Sequence, residues 1–167
     1  MPYQLNTVKP KHTLLAPCPC EERCAHIRNE TVDLISKNDV SGVAFRYLQS
    51  RAGQVKTRTE AICSILLAIA IGTAYGIPTY GLGAINSIVF FGNAVPNLGN
   101  TGRYRKTKRG CKEWLKNRLG EEHFKEIQKL QYTEEDIQEL SRLLREYGET
   151  TDTLDHHRPR VKPGCWI

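Results

Sequence analysis

No charged residue occurs between Glu60 and Arg103, although the rest of the chain is dense in charge. A stretch of that length without a charge must bury itself in a protein core or in a bilayer. It opens as AICSILLAIAIG (61–72), passes Pro78, and closes as GAINSIVFFGNAV (83–95). The fold class this implies is mainly α. A central apolar helical hairpin, membrane-associated or buried as a core, is followed by a C-terminal helical pair.

As a helix, residues 61–77 would span about 25 Å, just short of a typical hydrocarbon core of about 30 Å. Ile62, Ile65, Leu66, Leu67, Ile69 and Ile71 favour insertion, while Ser64, Thr73 and the glycines weaken it. Gly72 and Gly76 form a small-xxx-small pair that lets a second helix approach. Pro78 supplies a break. The second half, 81–95, is the weaker one, because Asn86 and Asn93 cost free energy in lipid unless they find partners. Lys56 and Arg58 precede the block, and Arg103, Arg105, Lys106, Lys108 and Arg109 follow it. If positive charge stays cytoplasmic, both ends lie on one side, which demands a hairpin or a re-entrant loop turning near 78–83. The competing reading packs the same residues as a buried pair of core elements. The glycines of this block lack the Gly-Lys-Ser/Thr of a phosphate loop and the dinucleotide spacing, so they read as turns or close helix contacts.

The net charge of +6 favours an anionic partner, nucleic acid or an anionic membrane surface. The densest run is Arg103, Tyr104, Arg105, Lys106, Lys108 and Arg109, continued by Lys112. Such a run neutralises phosphates in a salt-sensitive, sequence-independent way. Tyr104 and Trp114 are suited to stacking on unpaired bases. The same cations suit acidic headgroups, or a nuclear localisation signal.

Six cysteines are present, three of them within residues 18–24. The opening MPYQLNTVKPKH lacks the pattern of a secretory signal, so a reducing compartment is expected and the cluster reads as ligands rather than disulfides. Cys18, Cys20, Cys24 and His26 supply the thiolates and imidazole of a tetrahedral zinc site, in a tight loop without the usual two separated ligand pairs. His12, His156, His157 and Cys165 are further candidate ligands.

Composition divides the chain into a Pro/Cys-rich segment (1–29), a helical segment (30–60), the uncharged hairpin (61–102), a basic segment and C-terminal helical pair (103–148), and a mobile tail (149–167). The prolines of 1–29 argue against regular structure there. Thr31 is the expected cap of the first helix, and Asn38, Asp39 and Gly42 are expected to split 30–60 in two. Residues 112–130 read as helix, with Gly120 between two apolar clusters. In the last helix Thr133 is a suitable N-cap, Glu134, Glu135 and Asp136 suit the helix dipole, and Gly148 suits the end. Its Ile137, Leu140, Leu144 and Tyr147 share one face, for packing within the monomer or for self-association.

No nucleophile elbow, paired-carboxylate motif or metalloprotease helix appears, so no catalytic residue and no small-molecule substrate are expected. The reading is a small basic non-enzymatic accessory protein, intracellular and held at a membrane through 61–95, whose basic segment binds nucleic acid or anionic lipid. The alternative is a soluble, zinc-stabilised nucleic-acid-binding regulator, cytoplasmic or nuclear, with 61–95 as its core. In composition the chain is similar in character to viral movement or silencing-suppressor proteins.

Overall fold

The structure, a computed structural model, describes residues 6–7, 19–75 and 82–157. These residues are mainly helical: α1 (Pro19–Ser36), α2 (Val40–Tyr75), α3 (Leu82–Leu119), α4 (Glu121–Lys129), α5 (Glu134–Glu146) and α6 (Asp152–His157). They form two compact units. One draws on the chain up to Ala52 and from Tyr104 onward; the other is Gly53–Arg103.

The first unit starts earlier than its prolines suggest. α1 begins at Pro19, since the first turn of a helix has no internal use for the missing N–H. Thr31 is therefore not a cap. It lies inside α1, buried, and its hydroxyl donates to the Ile27 carbonyl at 2.7 Å. The helix ends where the sequence signals it. Asn38 adopts a left-handed φ of 58°, and the amides of Asn38 and Asp39 donate to the Ile35 and Leu34 carbonyls at 3.1 and 3.0 Å. That pairing satisfies the last carbonyls of a helix. Asp39 then opens α2 by accepting from the Gly42 amide and the Ser41 hydroxyl, each at 2.9 Å. Gly42 is helical rather than part of the break, and it admits Leu34 of α1, whose Cδ2 would lie 2.7 Å from a Cβ at this position.

The core of this unit joins Val43, Phe45, Tyr47 and Leu48 of α2, Cys111 and Leu115 of α3, Phe124 and Ile127 of α4, Ile137, Leu140 and Leu144 of α5, and Leu154 of α6. Tyr47 meets the Phe124 ring edge-on at 5.3 Å. Arg46, only 6 % exposed, pairs with Glu30 at 2.6 Å and so pins α1 to α2. Gly120 separates α3 from α4 with φ 86° and ψ 165°, a conformation that is essentially glycine's alone.

α5 follows its expected design. The Thr133 hydroxyl accepts from the Asp136 amide at 3.2 Å, and Gly148, at φ 76°, ends the helix as Glu149 donates to the Leu144 carbonyl at 2.9 Å. Its apolar face is spent within the unit: Ile137, Leu140 and Leu144 are fully buried, and Tyr147 lies against the His123 ring at 4.0 Å. Ile137, Leu140 and Leu144 thus take the first of the two uses expected for this face, packing within the monomer. The tail also begins later than 149. Glu149 pairs with Arg118 at 3.4 Å, Leu154 is 1 % exposed, and the Thr153 hydroxyl donates to Asp39. Residues 158–167 lie outside the described residues.

The second unit packs α2 from Gly53 against α3 up to Arg103. The hydroxyls of Thr57 and Thr101 hydrogen-bond at 2.9 Å where the two helices meet. The expected turn near Pro78, with Gly76 and Gly81, lies outside the described residues. Among the described residues no helix is long and apolar enough to cross a membrane.

Candidate functional site

The uncharged hairpin is built inside out. Among the described residues its buried positions are small or polar: Thr57, Ala61, Ala68, Ala94 and Asn100. On α2, Thr57, Ala61 and Ala68 recur at helical spacing and form one stripe. Small side chains there let two backbones approach closely. The large apolar residues fall on the other faces. Leu66 is 60 % exposed, Ile88 69 % and Val95 68 %, and Ile62, Leu67, Ile69 and Leu98 are exposed as well. Ile65 and Ile71 are half-buried. Leu98 and Val95 come from the half of the block that hydropathy ranks lower, and Leu98 is exposed although it lies one turn from buried Ala94. None of these residues belongs to a core cluster. Among the described residues of 61–95, the inward positions are small and none joins a core cluster.

The charges of this unit gather at the end marked by the Thr57–Thr101 contact. Lys56 pairs with Glu60 at 3.8 Å, Arg58 is exposed, and Arg103 donates to the Asn100 side-chain carbonyl at 3.3 Å. Beyond that end both helices are uncharged.

The basic segment lies on α3, chiefly in the first unit. Tyr104, Thr107, Cys111 and Leu115 are its buried face. Tyr104 packs with Cys24 and Ile27 of α1, so its ring is not presented for base stacking. Trp114 is partly buried against the core. The sequence run hides this, because alternating cations mask an apolar position that only the helical period reveals. Arg105, Lys106 and Arg109 are exposed, and Lys108 and Lys112 half-buried. At helical spacing Arg105, Lys108 and Lys112 stack in one row. Lys106 and Arg109 form the next row, which closes at Glu113, 3.2 Å from Arg109.

Val43, Tyr47 and Leu48 of α2 share one core with Cys111 and Leu115 of α3. Arg51 sits one turn beyond Tyr47 on α2. Its guanidinium is fixed by donating to the Gln128 and Leu130 carbonyls at 2.7 and 3.1 Å, at the negative end of α4. Partial burial holds the Lys108 ammonium below its usual range, and the positive charges of Arg51, Arg105 and Lys112 push it the same way. Lys112 also acts on Glu121, which Lys116 engages at 2.6 Å.

The candidate zinc ligands divide. Cys18 lies outside the described residues, and Cys20 is in the first turn of α1. Cys24 is buried at 4 % exposure, whereas His26 is exposed and lies 3.5 Å from Glu30. Two residues apart on a helix, these two side chains do not face one another. Among the described residues no three His, Cys, Asp or Glu side chains gather in a way that would hold a metal ion. His12 and Cys165 lie outside the described residues. Burial pushes the Cys111 thiol up to about 12, so it is protonated at neutral pH.

Comparison with protein-family models, with curated proteins and with solved structures finds no match for this chain.

Proposed function

We propose that this chain is a small non-enzymatic accessory protein that attaches to an intracellular membrane through the hairpin of residues 61–95. The observation that carries the reading is the outward placement of Ile62, Leu66, Leu67, Ile69, Ile88, Val95 and Leu98 over a seam of small residues. That is the arrangement of helices whose outer surface meets hydrocarbon, where small residues pack inward and no solvent penalty keeps large ones inside. Covering the exposed halves of these side chains is worth on the order of 5–10 kcal/mol, enough to hold a protein at a surface. Residues 61–75 as helix reach about 22 Å, so the hairpin enters the hydrocarbon without crossing its core of about 30 Å. Lys56, Arg58 and Arg103, grouped at one end, suit the headgroup layer.

The exposed cations of α3, Arg105, Lys106 and Arg109, add attraction to an anionic surface at about 1 kcal/mol each. Nucleic acid is the rival ligand for them. Burial of Tyr104 removes one of the two stacking rings that favoured it, whereas a lipid headgroup needs only the charges. Zinc takes no part in this reading.

Vesicle flotation tests it. The purified protein should rise with phosphatidylcholine vesicles containing phosphatidylserine. A variant carrying Ile62→Asp and Leu66→Asp should stay at the bottom while keeping its helical circular dichroism. A wild-type protein that remains below the vesicles, monodisperse in detergent-free buffer, would refute the attachment.

A further inference from the structure

We propose that the hairpins of neighbouring copies pack side by side, with the outward face of α2 in one copy seated on the outward face of α3 in the next. The proposal rests on the membrane reading above and names what covers part of that apolar surface: a second copy of this chain. Both outward faces carry a stripe that advances in alternate steps of four and three residues, the spacing of a helix–helix seam. On α2 the stripe is Val55, Thr59, Ile62, Leu66, Ile69 and Thr73, all exposed, with large side chains at its four apolar positions. On α3 it is Ile88, Gly92, Val95, Gly99 and Gly102, again all exposed. By the helical period each stripe lies opposite its helix's buried positions, Thr57, Ala61 and Ala68 on α2 and Ala94 and Asn100 on α3.

The glycines separate a partner helix from lipid as the covering. Inside a helix glycine is destabilising relative to alanine, so three on one face require a reason. Gly42 has one within its own unit, the close approach of Leu34. Gly92, Gly99 and Gly102 have none among the described residues: they are helical, and a Cβ at any of them would meet nothing within 4 Å. Glycine on an outward face lets another helix come close and leaves a hollow for its side chains. The stripe of α2 supplies those side chains. Pairing α2 with α2 would set large residues against large ones, and pairing α3 with α3 would leave glycine facing glycine. Pairing α2 with α3 fits each stripe to its complement. Every copy then keeps Lys56, Arg58 and Arg103 at the headgroup level. The contact joins unlike faces, so it extends as a row or closes as a ring, and does not end at a pair. Leu67 and Leu98, also exposed, fall off both stripes and stay against lipid.

The test uses the full chain, labelled at its amino terminus with donor or acceptor dye, and reads energy transfer between copies on floated vesicles alone. The wild type should transfer at a dilution in lipid where chance encounters give little. Gly92→Leu with Gly99→Leu fills the hollows, and Ile62→Ala with Ile69→Ala removes side chains that enter them. Each pair should weaken association by about tenfold or more while helical circular dichroism is kept. Mixed with one another, the two variants should recover transfer, because the first still offers its α2 face and the second its α3 face. Leu67→Ala with Leu98→Ala, off the stripes, should leave transfer unchanged. Lipid as the whole covering would give no transfer in the wild type, and pairing of like faces would give no recovery in the mixture; either result overturns the proposal. A wild type that does not float defeats the membrane reading by itself, and the same series in dodecyl maltoside micelles then decides the packing by the same outcomes.

Discussion

The two units invert one another. In the first, Phe124, Leu115, Ile127, Leu140 and Leu144 are fully buried, and the charged residues of α4 and α5 line the outside. In the second, alanines and a threonine pair fill the seam while isoleucine, leucine and valine face outward. The first follows the rule for a protein that hides apolar surface from water by folding. The second leaves that surface for something else to cover. One chain thus carries a unit with a large buried core and a hairpin whose described large apolar residues are mostly exposed, and the difference can be broken by substitution.

The largest effect is expected from Phe124→Ala. The ring is wholly buried between α2, α3 and α5 and meets Tyr47 edge-on. Its removal should cost about 3–5 kcal/mol in urea unfolding. A loss below about 1 kcal/mol would show that the first unit lacks a close-packed core and would erase the contrast.

Alkali should act on the same core. The thiol of Cys111, enclosed by Thr31, Arg46 and Tyr47, is pushed by burial from 9.0 up to about 12. The folded state therefore keeps a proton that the unfolded state releases above about pH 9. Stability from this group is full below pH 9 and falls as pH rises toward 12, by up to about 1.4 kcal/mol per pH unit. Burial raises Tyr47 and Tyr132 as well, and they add to the fall in the same direction. Cys111→Ala should flatten the profile measured between pH 8.5 and 10.5, roughly the range in which a model thiol titrates. An unchanged slope would place the loss on the tyrosines.

Glycines separate the units with opposite signs. Gly120→Ala should cost about 1–3 kcal/mol, because φ 86° with ψ 165° is closed to a side chain even though nothing would touch the new Cβ. Gly99→Ala, in an exposed helical turn of the hairpin with open space around it, should stabilise by about 0.5–1 kcal/mol. Matching signs in thermal melts would mean that one of the two backbones is not as described.

Much of the first unit was legible in the sequence because its signals are local. Thr133, the acidic turn after it, the spacing of Ile137, Leu140 and Leu144, and Gly148 each act within a few residues, and α5 follows all of them. Asn38 and Asp39 mark the first break in the same way. What escaped depends on distant partners. The start of α1 at Pro19 rests on a helix position that composition does not reveal, and burial of Thr31 depends on α3. Tyr104 reads as part of a basic run until α1 covers it. The positive charge of Arg51 acts on Lys108 only because α2 packs against α3, more than fifty residues away in sequence. The apolar hairpin was legible as apolar, and its orientation was not, because inside and outside are settled by which stripe is small.

The smallest effect on stability discriminates best between the units. Leu66 is 60 % exposed on the hairpin, so Leu66→Ser removes little that folding has buried and should shift urea unfolding in detergent-free buffer by no more than about 0.5 kcal/mol. The same substitution removes a side chain that would be covered at a bilayer, and in flotation it should lower vesicle attachment several-fold. Leu140→Ser is the mirror: wholly buried, it should unfold the first unit long before any vesicle is added. If Leu66→Ser proved as destabilising in solution as a core substitution, the hairpin would already be covered by protein, and its large residues would have no need of lipid.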